Sequence, residues 1–277
     1  MSELFSPEFA ERLQALAKDK AAVYRSNQPF PSIYLDNFLP AGIAEAALRD
    51  FPQPRQISWT EFTNQNEAKL AFDVVEMLPP SIRELLYFFN SRPVLEFLEE
   101  LTGIQHLIPD PYFFGGGLHQ IKPGGYLEVH ADFNRHPRLK LDRRINLLLY
   151  LNQDWKEEYG GHLELWNRDM SAAVCKILPV FNRCAIFSTT STSYHGHPIP
   201  LACPPDRTRK SLALYYYSNG RPEEEVREAH STLFQDRAGR EGPVLAPVRP
   251  SQRLSSRALS LVHAVLTRIR AAIAPRA

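Results

Sequence analysis

The polar and apolar positions of the chain fall into two regimes. Up to about residue 105 they read mostly as helices. "SPEFAERL" offers Ser6 as N-cap, Pro7 in the first turn and Glu8 near the positive end of the dipole, which predicts a helix over 7–25. "AGIAEAALRDF" (41–51) reads as a second helix. "PPSIRELLYFFNS" and "RPVLEFLEELTG" (79–103) read as two more, the last closed by Gly103. Between them "IYLDNFLP" (33–40) reads as a short strand ending in a turn. Beyond residue 105 the apolar runs are short and rich in β-branched, aromatic and leucine residues. "GGLHQIKP", "YLEVHADF", "INLLLYLN", "HLELWN", "CKILPV", "CAIFST" and "SLALYYYS" are parted by Gly, Pro, Asn and Asp. That spacing predicts a β-sandwich or barrel, ending where Gly220 and Pro222 break the strand.

The tail splits in two. Residues 238–252 are rich in Pro and Gly and read as a linker. Residues 253–273 repeat Leu254, Ala258, Leu261, Val265, Ile269 and Ile273 near helical spacing, with Arg253, Arg257, Arg268 and Arg270 among them. Such a basic amphipathic helix packs back on its own domain, frays, or makes peripheral contact with a membrane or a partner. The expected organisation is a mostly helical support region over 1–105, a β-rich domain over 106–225, and a linker with a C-terminal helix over 226–277.

Composition changes this picture little. The chain is 44% hydrophobic and 23% charged, with a formal net charge of +1. A balance so near neutrality gives no expectation of nucleic-acid binding. Three cysteines, Cys175, Cys184 and Cys203, suggest free thiols in a reducing compartment rather than a disulfide framework. No run reaches the ~20 apolar residues of a membrane span. The N-terminus carries acids early and does not read as a secretory leader. The expected location is cytoplasmic.

The chemistry starts at "GGYLEVHADFN" (124–134), where His130 and Asp132 stand two apart on a predicted strand. Residues two apart share a strand face. Burying an imidazole and a carboxylate together is costly unless something satisfies them, and a metal ion would. Further along, "TTSTSYHGHPIP" supplies His195 and His197, and "DRTRKSLALYYY" supplies Arg209. Two histidines and one carboxylate that leave metal positions open make the facial triad of non-haem Fe(II) oxygenases.

With these residues in place, the stretch from about 113 to 220 resembles the 2-oxoglutarate/Fe(II)-dependent oxygenases, in their prolyl 4-hydroxylase-like branch. The matching segments are "PGGYLEVHADFN", "RINLLLYLNQDWKEEYGGHLEL", "NRCAIFSTTSTSYHGHP" and "RKSLALYYY", in the family's order. The resemblance implies a mainly β protein with a double-stranded β-helix (jelly-roll) core and supporting helices. It implies that His130, Asp132 and His195 bind Fe(II), and that 2-oxoglutarate chelates the iron while Arg209 grips its far carboxylate. Arg suits a planar carboxylate better than Lys does. Tyr150, immediately before "LN", matches a family position whose hydroxyl contacts the same carboxylate. The implied reaction consumes O2 and converts 2-oxoglutarate to succinate and CO2 while hydroxylating a prolyl or other protein side chain, or a small molecule. Ascorbate is implied only as a supporting reductant that no residue here specifies.

Strand alternation supports part of this independently. If "RKSLALYYY" is a strand, Arg209, Ser211, Ala213 and Tyr215 share one face, so Ser211 can join Arg209 on the carboxylate. Tyr150 shares a face with Leu148 and Asn146. His195 and His197 would also share a face, and spacing alone does not choose between them. The family pattern favours His195 before Gly196, leaving His197 as a residue behind the ligands or facing substrate. Arg207 and Lys210 are alternatives to Arg209, though Lys210 points away from Ser211. His119, His136 and His162 read as ordinary surface or hydrogen-bonded histidines. The run "RHPRLKLDRR" (135–144) reads as a solvated loop that could attract an anionic substrate. Gly160 and Gly161 suit a turn, and Trp155 and Trp166 suit the core. Halogenation is disfavoured because Asp132 occupies the place a halide would take. The rival to catalysis is a jelly-roll binding module that keeps the metal motif.

Overall fold

A computed structural model describes residues 2–236 of the chain. The linker and the C-terminal helix expected beyond residue 237 lie outside the described residues. The helices form where the pattern places them. α1 (Pro7–Ser26) starts at Ser6, whose Oγ accepts from the Phe9 amide at 3.2 Å. α2 is Ala41–Arg49, α3 is Pro80–Phe89 and α4 is Arg92–Thr102. Gly103 caps α4 at φ 79°. Arg25, in the last turn of α1, donates to the Glu100 carbonyl at 2.7 Å, so a cation meets the negative end of α4.

The strands are β1 (Ser32–Leu35), β2 (Thr60–Asn64), β3 (Glu67–Phe72), β4 (Ile108–Pro109), β5 (Gly117–Ile121), β6 (Leu127–Ala131) and β7 (Asp142–Tyr150). Then come β8 (Leu163–Trp166), β9 (Ala173–Ile177), β10 (Arg183–Ser188), β11 (His195–His197), β12 (Arg209–Ser218) and β13 (Leu233–Phe234). All pairings are antiparallel, in the order β1-β10-β7-β12-β5-β3-β6-β11-β8-β9, with β13 on β6, β2 on β3 and β4 on β12. The 13-stranded sheet curls into a nearly closed, jelly-roll-like barrel. The protein is mainly β with supporting helices, as the sequence suggests.

Period-2 alternation decides what each strand offers to each side. On β7, Ile145, Leu147 and Leu149 enter the main core with the helices, while Asn146, Leu148 and Tyr150 turn to the barrel interior. On β12, Leu212, Leu214 and Tyr216 join that core, while Arg209, Ser211, Ala213 and Tyr215 face inward. These strands are covered on both faces, which explains why they read as nearly unbroken apolar runs. Phe97, Leu98 and Leu101 of α4 are fully buried in the same core. Each such side chain contributes roughly 1.5–3 kcal/mol by burial.

Several elements escape the sequence reading, the two-residue β4 among them. The hairpin β2–β3 carries an exposed, polar outer strand with no apolar run to announce it. β11 spans three residues and β13 two, too short for a periodic signal. The basic run 135–144 also departs from a solvated loop at its end. Asp142 opens β7, and Arg143 and Arg144 are 1% and 9% exposed. Arg143 is drawn inside by the Asp132 carboxylate and the faces of Phe133 and Tyr215.

Candidate active site

β6 and β11 set the centre of the site. They pair antiparallel with His195 opposite His130, which brings residues far apart in sequence across one ladder. Gly196 permits the approach, since a Cβ there would lie 2.8 Å from the Leu127 carbonyl oxygen and 2.9 Å from that of Glu128. Asp132 follows β6 directly on the His130 face. One nitrogen from each histidine and one oxygen from Asp132 lie within 4.8 Å of one another.

The protonation of the imidazoles follows from their outer partners. His130 Nδ1 lies 2.8 Å from the Glu128 carbonyl oxygen, and His195 Nδ1 lies 3.0 Å from that of Ser193. A carbonyl only accepts, so both Nδ1 atoms carry hydrogen. Burial holds the His195 ring down to about 4 despite the neighbouring Asp132, so it is neutral near pH 7 and its Nε2 presents a lone pair. His130 Nε2 stands 3.7 Å from Asp132 Oδ1, and His195 Nε2 stands 3.4 Å from Oδ2.

Asp132 is itself oriented. Oδ2 accepts from Asn146 Nδ2 at 2.8 Å and from Arg143 Nη2 at 3.0 Å. Burial works to raise its carboxyl, but the Arg143 guanidinium and the two imidazoles hold it well below the usual carboxylate range. Arg143 is fixed in turn by Asn146 Oδ1 and lies over the rings of Tyr215 at 3.5 Å and Phe133 at 4.5 Å.

These groups line a cavity of about 270 Å³ that also takes in Arg209 and Ser211. Arg209 is 5% exposed. Its Nε donates to the Gly161 carbonyl at 2.8 Å and its Nη2 to the Tyr150 hydroxyl at 3.3 Å. Among the described residues no carboxylate pairs with it, so a buried cation faces the cavity without an anion. Tyr150 is fully buried and accepts from Arg209, and it is not among the residues that line the cavity. Ser211 stands opposite Tyr150 in the β12–β7 ladder. His197 also lines the cavity.

The other histidines sort as follows. His119 contacts the Gly115 carbonyl oxygen at 3.1 Å and lines the cavity. His136 is buried beside Asp110 at 3.3 Å, and His162 meets Glu157 at 2.8 Å. Trp155 is buried, and Gly160 and Gly161 adopt φ of 68° and 74° in their turn.

The sequence reading missed several wall residues. Phe62, Glu67 and Lys69 come from the β2–β3 hairpin, and Thr232 and Phe234 from the strap after the barrel. Asn134 pins that strap by donating to the Glu228 carbonyl and accepting from the His230 amide. Phe234 then lies 5.5 Å from the His130 ring. Their one local signal is the weak alternation of "EAKLAF"; the strap carries none.

Comparison with known proteins agrees with this geometry. Residues 116–217, just over a third of the chain, match the 2OG-Fe(II) oxygenase superfamily. No curated protein matches the chain. Among solved structures, a Pseudomonas putida prolyl-4-hydroxylase is similar with 17% identity and TM-score 0.52, over 75% of this chain and 100% of that one. A Trichoplax adhaerens prolyl hydroxylase in complex with a hypoxia inducible factor peptide shows 17% identity and TM-score 0.53, over 76% and 93%. HygX from Streptomyces hygroscopicus, with nickel, 2-oxoglutarate and hygromycin B bound, shows 10% identity and TM-score 0.51, over 79% and 97%. At such identities the likeness shows a shared fold. The match over residues 116–217 and the shared fold support a place for this chain among the iron- and 2-oxoglutarate-dependent oxygenases.

Proposed function

We propose that this protein is an Fe(II)- and 2-oxoglutarate-dependent hydroxylase in which His130, Asp132 and His195 hold the iron. One observation carries the reading. Lone-pair atoms of two imidazoles and a carboxylate face one another at 3.4–3.7 Å, with the ring protons committed elsewhere. A cation resolves that repulsion, and a facial N,N,O set suits Fe(II). When bound, Fe(II) with 2-oxoglutarate and O2 supplies oxidative decarboxylation to succinate and CO2, with one oxygen atom passing to a substrate C–H bond.

The chain's own residues bind and orient. Arg209 and Ser211 receive the distal carboxylate, with Tyr150 donating from behind. The absence of any acid beside buried Arg209 among the described residues supports this, because an unpaired buried cation is unfavourable. Asn146 and Arg143 hold Asp132 by one oxygen and leave the other for the metal. Phe62, Phe133 and Phe234 exclude water around the substrate side. In this reading residues 106–225 carry the chemistry and residues 1–105 support it through the shared core. The substrate is a protein side chain or a small molecule. Both kinds accompany the fold relatives, a peptide in one and hygromycin B in another. Three free thiols accord with a cytoplasmic setting. No helix of the described residues is long and apolar enough to cross a membrane.

The test is succinate formation from 2-oxoglutarate by anaerobically purified, Fe(II)-loaded protein after admission of O2, beside His130→Ala. Turnover that disappears in the variant is expected. Absence of turnover together with absence of Fe(II)-dependent 2-oxoglutarate binding overturns the proposal.

A further inference from the structure

His197 is a buried imidazole that nothing among the described residues satisfies. It is 4% exposed, and both ring nitrogens are buried without a hydrogen-bond partner. A polar ring so placed costs stability unless a ligand completes it. It follows His195 by two positions on β11, so both rings face the same cavity. The ladder separates their roles. His195 stands opposite His130, whereas His197 stands opposite Leu127 at the other end of β6. His197 is therefore carried away from the metal ligands. It also walls a second cavity of about 250 Å³ together with Gly161, whose carbonyl holds Arg209.

The surroundings state what the ring can bind. Arg209 and Lys69 line the same cavity as the ring. An imidazole carries at least one N–H to donate. Arg209, in the same cavity, is a cation without a carboxylate. A ring without a hydrogen-bond partner and a cation without an anion, both lining one cavity, describe a carboxylate.

We infer that His197 is a co-substrate contact, donating its ring N–H to the distal carboxylate that Arg209 grips, and that it sets the preference for a 2-oxo diacid over a 2-oxo monoacid. The inference rests on the hydroxylase reading above. It adds a fourth donor, beside Arg209, Ser211 and Tyr150, that discriminates between co-substrates.

The experiment is anaerobic calorimetric titration of the Fe(II)-loaded full chain with 2-oxoglutarate and with 2-oxobutyrate, which lacks the distal carboxylate. His197→Val should weaken 2-oxoglutarate by roughly ten- to a hundredfold, the range for a lost hydrogen bond to a charged group, and leave 2-oxobutyrate unchanged. His197→Asn, which keeps an N–H donor, should recover part of the loss. Fe(II) affinity should be equal in all three proteins. A second readout needs no variant: in the Zn(II)-loaded wild type with ¹⁵N-labelled histidine, the His197 ring resonance should move with 2-oxoglutarate and stay with 2-oxobutyrate. If His197→Val binds 2-oxoglutarate as wild type does, or the ring resonance is unmoved while 2-oxoglutarate binds, the inference fails and the hydroxylase reading stands. If the Fe(II)-loaded wild type does not bind 2-oxoglutarate, both fail.

Discussion

At the scale of single residues the site is a problem of protons. Asn146 gives its Nδ2–H to Asp132 Oδ2 and takes two hydrogen bonds from Arg143, so it fixes the orientation of the carboxylate toward the imidazoles. Asn146→Ala should therefore lower Fe(II) affinity by roughly ten- to a hundredfold while the fold persists, as loss of an outer partner of a metal ligand does. Anaerobic Fe(II) titration beside a circular-dichroism melt checks this, and undiminished affinity counts against the role. The metal-free protein should also respond to acid through His195. Its folded value is about 4 against an ordinary 6.5, so the unfolded chain binds more protons between those values. Stability is then complete above about pH 6.5 and falls as pH drops toward 4, by up to roughly 3 kcal/mol. His195→Gln should flatten that part of the melting profile. The pairing of His130 with Asp132 was legible in the chain because two residues two apart on a strand share a face. The proton-bearing partners were not, because main-chain carbonyls carry no residue signature.

At the scale of elements two close approaches decide the chemistry. β11 rides against the carbonyls of Leu127 and Glu128 only because Gly196 lacks a side chain. Gly196→Ala should push β11 from β6, part His195 from His130 and abolish tight Fe(II) binding at a smaller cost in melting temperature. Retained Fe(II) binding would contradict this geometry. Gly161 plays the matching part at the other end. A Cβ there would lie 3.0 Å from Arg209 Cδ and 2.6 Å from Leu201 Cδ2, on a backbone at φ 74°. Gly161→Ala should weaken 2-oxoglutarate binding through Arg209 and leave Fe(II) affinity unchanged, as the same two titrations would report. Helices α1 to α4 and the longer strands were readable because periodicity accumulates over many residues. β2, β11 and β13 were not, since a polar edge or a run of two or three residues carries no period. Their pairing is imposed by the neighbouring strand.

For the whole molecule the main fact is a core that belongs to no single region. Phe9, Leu13, Phe97 and Leu101 from the helices pack in one cluster with Leu147, Leu149, Ile186 and Leu212 from the sheet. Leu147 is fully buried, and Leu147→Ala should cost roughly 2–5 kcal/mol. Because both layers share that core, helical circular dichroism and tryptophan fluorescence should report one unfolding transition, shifted together in the variant. Two separate transitions would show the layers to be independent.

The sequence by itself determined the helices, the β-rich core, the two-residue spacing of His130 and Asp132, and the common face of Arg209 and Ser211. Each of these follows from a local period or from residue chemistry. Only the tertiary structure decided that His195 meets His130, that Arg143 leaves a basic run to clamp Asp132, and that Lys69 and Phe234 wall the cavity. It alone left His197 buried without a partner among the described residues. Those facts depend on which strands become neighbours and on what each buried polar group then finds within reach, and burial and pairing are properties of the assembled barrel.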